Sequence, residues 1–194
     1  MRFVLGLTGS IGMGKSTTAA MFREEGVPVW DADASVHALY APGGAAVAGI
    51  RGLAPEAIVG GAVDRAALRE ALERDPSLFS RLEALVHPLV AEDRARFLGT
   101  TPGDVVVLDV PLLFERGIDR ECDGVAVVSA SAATQMTRLL ARPGMDLAGV
   151  ELLLSRQMPD AEKRRKADHI VHSGLSRHHA QRAIRAIVRR FRPA

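Results

Sequence analysis

Eight residues near the N-terminus, Gly9-Ser10-Ile11-Gly12-Met13-Gly14-Lys15-Ser16, constrain the fold of this chain more than any other stretch. They match G-x-x-x-x-G-K-[ST] in full. Before them runs the apolar segment Phe3-Val4-Leu5-Gly6-Leu7. After them Ala19, Ala20 and Phe22 fall on one side of a helical pattern and Arg23-Glu24-Glu25 on the other. A strand that turns through glycines into a helix is the context that gives this motif meaning. Glycines let backbone N–H groups wrap an anion without Cβ clashes, and the helix N-terminus adds its dipole and unpaired donors. Lys15 then reaches the β- and γ-phosphates, and the Ser16 hydroxyl is placed for Mg2+. The segment predicts a nucleoside triphosphate site lined by Gly12, Met13, Gly14, Lys15, Ser16 and Thr17.

The surrounding pattern is α/β. Gly26 sits where a helix C-cap belongs, Val27-Pro28-Val29-Trp30 reads as a second strand, and Asp31-Ala32-Asp33 leads into a helix to about Tyr40. Strand, glycine loop, helix, strand is a parallel βαβ unit. Ala41-Pro42-Gly43-Gly44 breaks it. Helical stretches follow at about 45–53, 65–74 and 77–98 with no strand pattern, which predicts a helical insertion over 41–99. Strands are expected again at 105–108, 124–128 and 169–171, and helices at 132–141, 147–158 and 180–190. The expected core is therefore 1–40 and 100–194, and a chain of 194 residues suits one domain with an insertion.

Composition narrows the class further. Hydrophobic residues at 47% and charged residues at 25% exclude a disordered, collagenous or disulfide-stapled chain. No apolar run approaches the roughly 18 residues that span a bilayer, so no membrane association is expected. The five-residue apolar stretch at Phe3–Leu7 is too short for a secretory signal. A lone Cys122 fits a reducing compartment, and the expected location is cytoplasmic. The net charge of +2 hides an uneven spread: residues 155–194 sum to +8 and the rest to −6. A basic C-terminal quarter can face nucleic acid, a small polyphosphate, or simply water. With 8 aromatic residues in the chain, stacking platforms are scarce, and no nucleic-acid partner is expected. Only three of the 25 basic residues are lysine: Lys15, Lys163 and Lys166. Nothing in the sequence specifies an oligomeric state.

Asp109 ends the run Val105-Val106-Val107-Leu108, the position from which an acidic side chain helps hold Mg2+ beside such a loop. No N-K-x-D element reads guanine, and Val-Pro-Leu rather than a D-x-x-G switch follows Asp109. The chain is short for a motor or helicase, which leaves a small kinase. Asp31 and Asp33 are two apart, so in extended backbone they project together, suited either to orient a hydroxyl and take its proton or to cap a helix. Arg138 and Arg142 share a helix face before the Pro143-Gly144 break, as a phosphate clamp or a solvated face. His37, His87, His169, His172, His178 and His179 show no metal-ligand spacing, and Cys122 reads as packing. From the residues alone, the chain is a phosphate-loop kinase of a small acceptor. A nucleoside or nucleotide kinase remains open, as does a nucleotide-dependent regulator that binds RNA or a protein partner.

The sequence also resembles a known family, dephospho-CoA kinase. The resemblance runs from Leu5 to about Ile187. It rests on the phosphate loop, on Asp31-Ala32-Asp33 with His37, and on Val63-Asp64-Arg65 with Leu68. Further matches are Leu85-Val86-His87-Pro88, the segment from Leu108-Asp109-Val110-Pro111 through Leu112-Leu113-Phe114-Glu115, Gln135 with Arg138 and Arg142, Arg156-Gln157, and Lys163 through Asp168. It implies a three-layer phosphate-loop nucleoside triphosphate hydrolase fold with a helical lobe for dephospho-CoA and a lid at about 138–158. The implied reaction is phosphorylation of the ribose 3′-hydroxyl by ATP with Mg2+. The resemblance makes Asp33 the base, with Lys15 and Arg142 catalytic. Asp31, Asp33, His87, Leu112 and Arg138 then line the acceptor, Arg142 and Ser173 join the nucleotide, and Ser16 and Asp109 hold the metal. His87-Pro88 otherwise reads as a turn. The chain departs from the family at His172-Ser173, where many members carry Asp-Asn or Asp-Thr beside the adenine. It departs again at Gly52-Leu53-Ala54 and Leu72, which read as repacking of the helical lobe.

Overall fold

A computed structural model describes residues 2–192, so the outermost residues of the expected core, Met1, Pro193 and Ala194, lie outside the described residues. In chain order the elements are β1 (Phe3–Thr8), α1 (Lys15–Glu24), β2 (Val29–Asp31), α2 (Ala32–Tyr40) and α3 (Ala45–Leu53). Then come β3 (Ile58–Val59), β4 (Ala62–Val63), α4 (Arg65–Arg74), α5 (Leu78–Thr100), β5 (Val105–Asp109) and β6 (Gly124–Ser129). Helices α6 (Ala132–Leu140), α7 (Leu147–Ser155) and α8 (Asp160–Lys166), strand β7 (His169–His172) and helix α9 (Arg177–Phe191) complete the fold.

The chain forms two compact units, 1–30 with 102–194, and 31–101. The first is built on a sheet of order β2-β5-β1-β6-β7, in which β1 runs parallel to β5 and β6, and β6 to β7. Leu5 lies opposite Val107, and Leu7 opposite Asp109 and Ala126, so one face carries Leu5, Leu7, Val107 and Ala126. That face is buried under Met21 and Phe22 of α1 and Ile184, Ile187 and Val188 of α9. The alternate residues Val106, Leu108, Val125 and Val127 are equally buried, and Leu113 closes on Gly6. Burial on both faces is why these strands are continuous apolar runs rather than alternating ones. Fully burying Phe22 is worth about 1.5–3 kcal/mol.

The second unit is helical. Helix α3 packs on α5, α2 packs on both, and Ala46, Val47, Ile50, Ala57, Leu68 and Ala71 form its core. Gly49 permits a close helix approach, since a Cβ there would lie 2.6 Å from Leu85. Because α2 packs on α3 and α5, the boundary falls at 30/31 and 101/102, not at the expected 40/41 and 99/100.

Three local expectations are corrected. The insertion is not free of strands: β3 and β4 pair antiparallel around Gly60-Gly61, whose φ values of 57° and 80° suit a tight hairpin turn. His87-Pro88 is not a turn but lies inside α5, where Pro88 is exposed. The helix expected to Met158 stops at Ser155, and a separate α8 follows.

Candidate active site

The phosphate loop leaves β1 and enters α1 with Gly12 at φ 81° and Gly14 at φ 88°. Both are conformations that favour glycine. Space requires glycine as well. A Cβ on Gly12 would meet Leu139 Cγ at 2.9 Å, and one on Gly14 would meet Ser173 Oγ at 3.1 Å. Met13 between them is buried, and its Sδ accepts from the Ala130 amide at 3.2 Å. Gly14 caps α1 without a side-chain hydrogen bond, so the first-turn N–H groups of Lys15, Ser16 and Thr17 have no acceptor in the helix. Ser16 and Thr17 are exposed on that turn. An uncapped helix N-terminus reached through glycines is an anion site.

At its edge Lys15 Nζ lies 2.6 Å from Asp109 Oδ1. The Asp109 side chain is 1% exposed and that of Lys15 14%. Pairing of Leu7 with Asp109 across β1 and β5 brings the last residue of β5 alongside the start of the loop. Among the described residues no group of three or more His, Cys, Asp or Glu could hold a metal. The Ser16 hydroxyl and Asp109 carboxylate are hard oxygen donors, few in number. That set fits Mg2+ shared with substrate phosphates rather than a cation in an all-protein cage.

Behind the loop lies a second layer of contacts. Arg138 Nη1 donates to the Gly12 carbonyl (3.3 Å) and to Ser173 Oγ (3.1 Å), and Nη2 donates to the Ser173 carbonyl (2.9 Å). Ser173 Oγ donates to the Met13 carbonyl, and the Ser173 amide donates to Ser129 O at 2.9 Å. Gln135 Nε2 donates to the Ile11 carbonyl at 2.7 Å, while the Ile11 amide donates to Gln157 Oε1 at 2.9 Å. Arg138, expected at the acceptor, here grips the loop. Arg142 sits one turn on, past the end of α6, in a bend closed by Gly144 at φ 74°. Its main chain is tied in, the amide donating to Leu139 O and the carbonyl accepting from Met145 N, while its guanidinium is exposed and bonds no other described residue.

A buried cation supports the floor. Lys163 on α8 is 0% exposed, and its Nζ lies 2.9 Å from Glu115 and 3.3 Å from the Pro111 carbonyl, which also accepts from Thr8 Oγ1. Burial pushes the Glu115 carboxyl up. Hydrogen bonds from Lys163 and the Met158 amide outweigh that and hold it below the usual glutamate value. Leu112 is half-buried in the turn that these contacts anchor.

The remaining candidates belong to the second unit. Asp31 caps α2, its Oδ1 accepting from the amides of Asp33 (2.9 Å) and Ala34 (3.0 Å). Asp33 is exposed, and its carboxylate accepts no hydrogen bond from another described residue. His87 is exposed on α5 with Nε2 3.6 Å from Glu83 Oε1. The first unit thus brings Lys15 to Asp109, and Arg138 and Ser173 to the loop. Asp31, Asp33 and His87 are carried on the other unit. The sequence places Gln135, Gln157, Glu115 and Lys163 in matched motifs but assigns none of them a role. For Lys163 the signal was rarity: it is one of three lysines among 25 basic residues.

The dephospho-CoA kinase family profile matches residues 3–178. A dephospho-CoA kinase of Cereibacter sphaeroides is 56% identical over 190 residues, covering 98% of this chain and 96% of that protein. A crystal structure of a Thermus thermophilus protein superposes with a TM-score of 0.85 at 35% identity, covering 99% of each chain. A dephospho-CoA kinase from Campylobacter jejuni, 19% identical with 98% and 97% of the chains covered, shares the fold at a TM-score of 0.67.

Proposed function

This chain belongs to the dephospho-CoA kinase family, and from that premise we propose that it transfers the γ-phosphoryl group of ATP to the ribose 3′-hydroxyl of dephospho-CoA. The products are CoA and ADP, the last step of CoA synthesis. The observation that carries this reading is the Lys15–Asp109 pair beside the uncapped N-terminus of α1. It sets one cation, one carboxylate and a row of amide donors at a single anion site.

The loop from Gly12 to Thr17 holds the triphosphate through the amides of Gly12, Gly14, Lys15, Ser16 and Thr17, with Met13 buried behind it, and Lys15 neutralises charge on the outer phosphates. The Ser16 hydroxyl and the Asp109 carboxylate would hold Mg2+, which would supply further charge neutralisation to the phosphates. Asp33 orients the ribose hydroxyl and accepts its proton as the new O–P bond forms and the bond from Pγ to the bridging oxygen breaks, its electron pair leaving with ADP. The unencumbered carboxylate of Asp33 supports this role. Asp31, whose Oδ1 is engaged as a cap, positions the turn. Arg142, whose guanidinium is exposed and bonds no other described side chain, is suited to meet the transferring phosphoryl group from the lid at about 138–158. His87 and Leu112 complete the acceptor side, and Ser173 stands at the nucleotide. The enzyme works in the cytoplasm on these small molecules, with neither nucleic acid nor membrane as partner; no described helix is long and apolar enough to cross one.

Mass spectrometry of dephospho-CoA incubated with Mg-ATP and the protein tests the reading. CoA is expected with the native chain and not with Lys15→Ala. Nucleotide binding without CoA formation would overturn the acceptor assignment and point to a nucleoside or nucleotide instead.

A further inference from the structure

Three consecutive carbonyls of the phosphate loop are each gripped by a side chain from outside it. Ile11 O accepts from Gln135 Nε2, Gly12 O from Arg138 Nη1, and Met13 O from Ser173 Oγ. Every peptide bond described is trans. In a trans peptide unit the C=O and the following N–H point in opposite directions. A carbonyl held toward the protein therefore turns the next residue's N–H the other way. Pinning Ile11 O and Met13 O fixes the directions of the Gly12 and Gly14 N–H groups. With φ values of 81° and 88°, those glycines have little of their own to hold them in place. The Met13 amide is turned back onto Ser10 O at 3.1 Å and leaves the row.

We propose that Gln135 and Ser173 form a carbonyl-side clamp that aims the Gly12 and Gly14 amides at the nucleotide phosphates, while Arg138, through the Gly12 carbonyl, and Gln157 hold the Met13 and Ile11 amides out of the row. These are positioning residues, acting through main-chain direction. The proposal rests on the kinase reading for its relevance to turnover, but the clamp itself is a statement about phosphate binding. Gln135 is buried, so its amide is withdrawn from water for this contact. The two glutamines use opposite ends of the same group. Gln135 serves as donor and Gln157 as acceptor, across 124 and 146 positions of sequence.

That opposition gives a test with a built-in control. Replacing glutamine by glutamate removes the donor and keeps the acceptor. Titration calorimetry of Mg-ADP, which needs no acceptor substrate, is run on Gln135→Glu, Gln157→Glu and the native protein, each with its melting temperature. Gln135→Glu is expected to weaken ADP at least tenfold, and Gln157→Glu, which keeps the accepting oxygen, to weaken it several-fold less. In turnover assays the KM for ATP rises in Gln135→Glu while that for dephospho-CoA holds, a split that general loosening would not give. Gln135→Met, which lacks the donor and adds no charge, repeats the loss and stands in if Gln135→Glu does not fold. ADP binding within threefold of native in Gln135→Met overturns the clamp, as does equal weakening in both glutamate variants. Failure of dephospho-CoA turnover in the native protein, with the ADP pattern intact, would overturn the acceptor assignment alone.

Discussion

Lys15 and Asp109, 94 positions apart in sequence, meet at 2.6 Å where β5 ends beside the phosphate loop. Asp109 is the more deeply buried partner, 1% exposed against 14%. The two substitutions should therefore be unequal before any nucleotide is added. Lys15→Met strips the ammonium from a carboxylate that is 1% exposed and should be the more destabilising of the two. Asp109→Asn leaves a lysine able to reach solvent and should destabilise less. Urea melts of the nucleotide-free proteins check the order, and both variants should lose turnover by about 100-fold or more.

Asp31 and Asp33 should separate by what they damage. Asp31→Ala removes the cap of α2 and should destabilise by about 1 kcal/mol. Asp33→Asn should leave the melting temperature unchanged and cut kcat by about 10²- to 10⁴-fold while ATP still binds. Near-native kcat in Asp33→Asn would remove that residue as base.

The buried Lys163 predicts a second asymmetry. Glu115→Ala strands a fully buried ammonium and should destabilise by about 3–5 kcal/mol, whereas Lys163→Met fills the same space with an apolar chain and should cost less. Thermal melts of both variants decide it. The lowered Glu115 pKa adds a pH signature. Its contribution is present above the ordinary glutamate range and is lost as pH falls through the lower folded value, so Glu115→Ala should flatten the acid limb of Tm against pH.

His169 acts at higher pH. Burial holds its pKa below the ordinary value, Arg190 lowers it further, and Asp168 opposes them. The unfolded chain therefore takes up this proton first. The associated stability is complete above about pH 6.5 and declines as pH falls from there toward the folded value. His169→Gln should remove that part of the slope between neutral and mildly acidic pH, read by thermal melts across the range.

The elements legible in the sequence were those with a periodic apolar face between clear breaks. Helices α3 and α4 were expected at 45–53 and 65–74, the bounds the structure gives them. The β3–β4 hairpin was hidden because two-residue strands are too short to show an alternation. Helix α8 was hidden because its inward side chain is Lys163, so it has no apolar stripe. Helix α9 begins at Arg177 rather than at the expected Ala180, because Ser176 caps a first turn made of Arg177, His178 and His179. In the site, the loop announced itself by residue type and spacing. Gln135, Gln157 and Ser173 work through hydrogen bonds to main-chain atoms, which leave no mark on the spacing of the residues they serve.

The chain passes between its two units only twice, after Trp30 and after Thr101. The helical unit is thus one uninterrupted cassette, and Asp33 travels inside it while Lys15 and Asp109 stay behind. On the roles proposed above for these residues, a lineage exchanging this cassette for another would replace acceptor recognition and proton acceptance together, without disturbing the apparatus that grips the triphosphate. Diversification toward new acceptors would then proceed by module exchange, each module bringing its own general base.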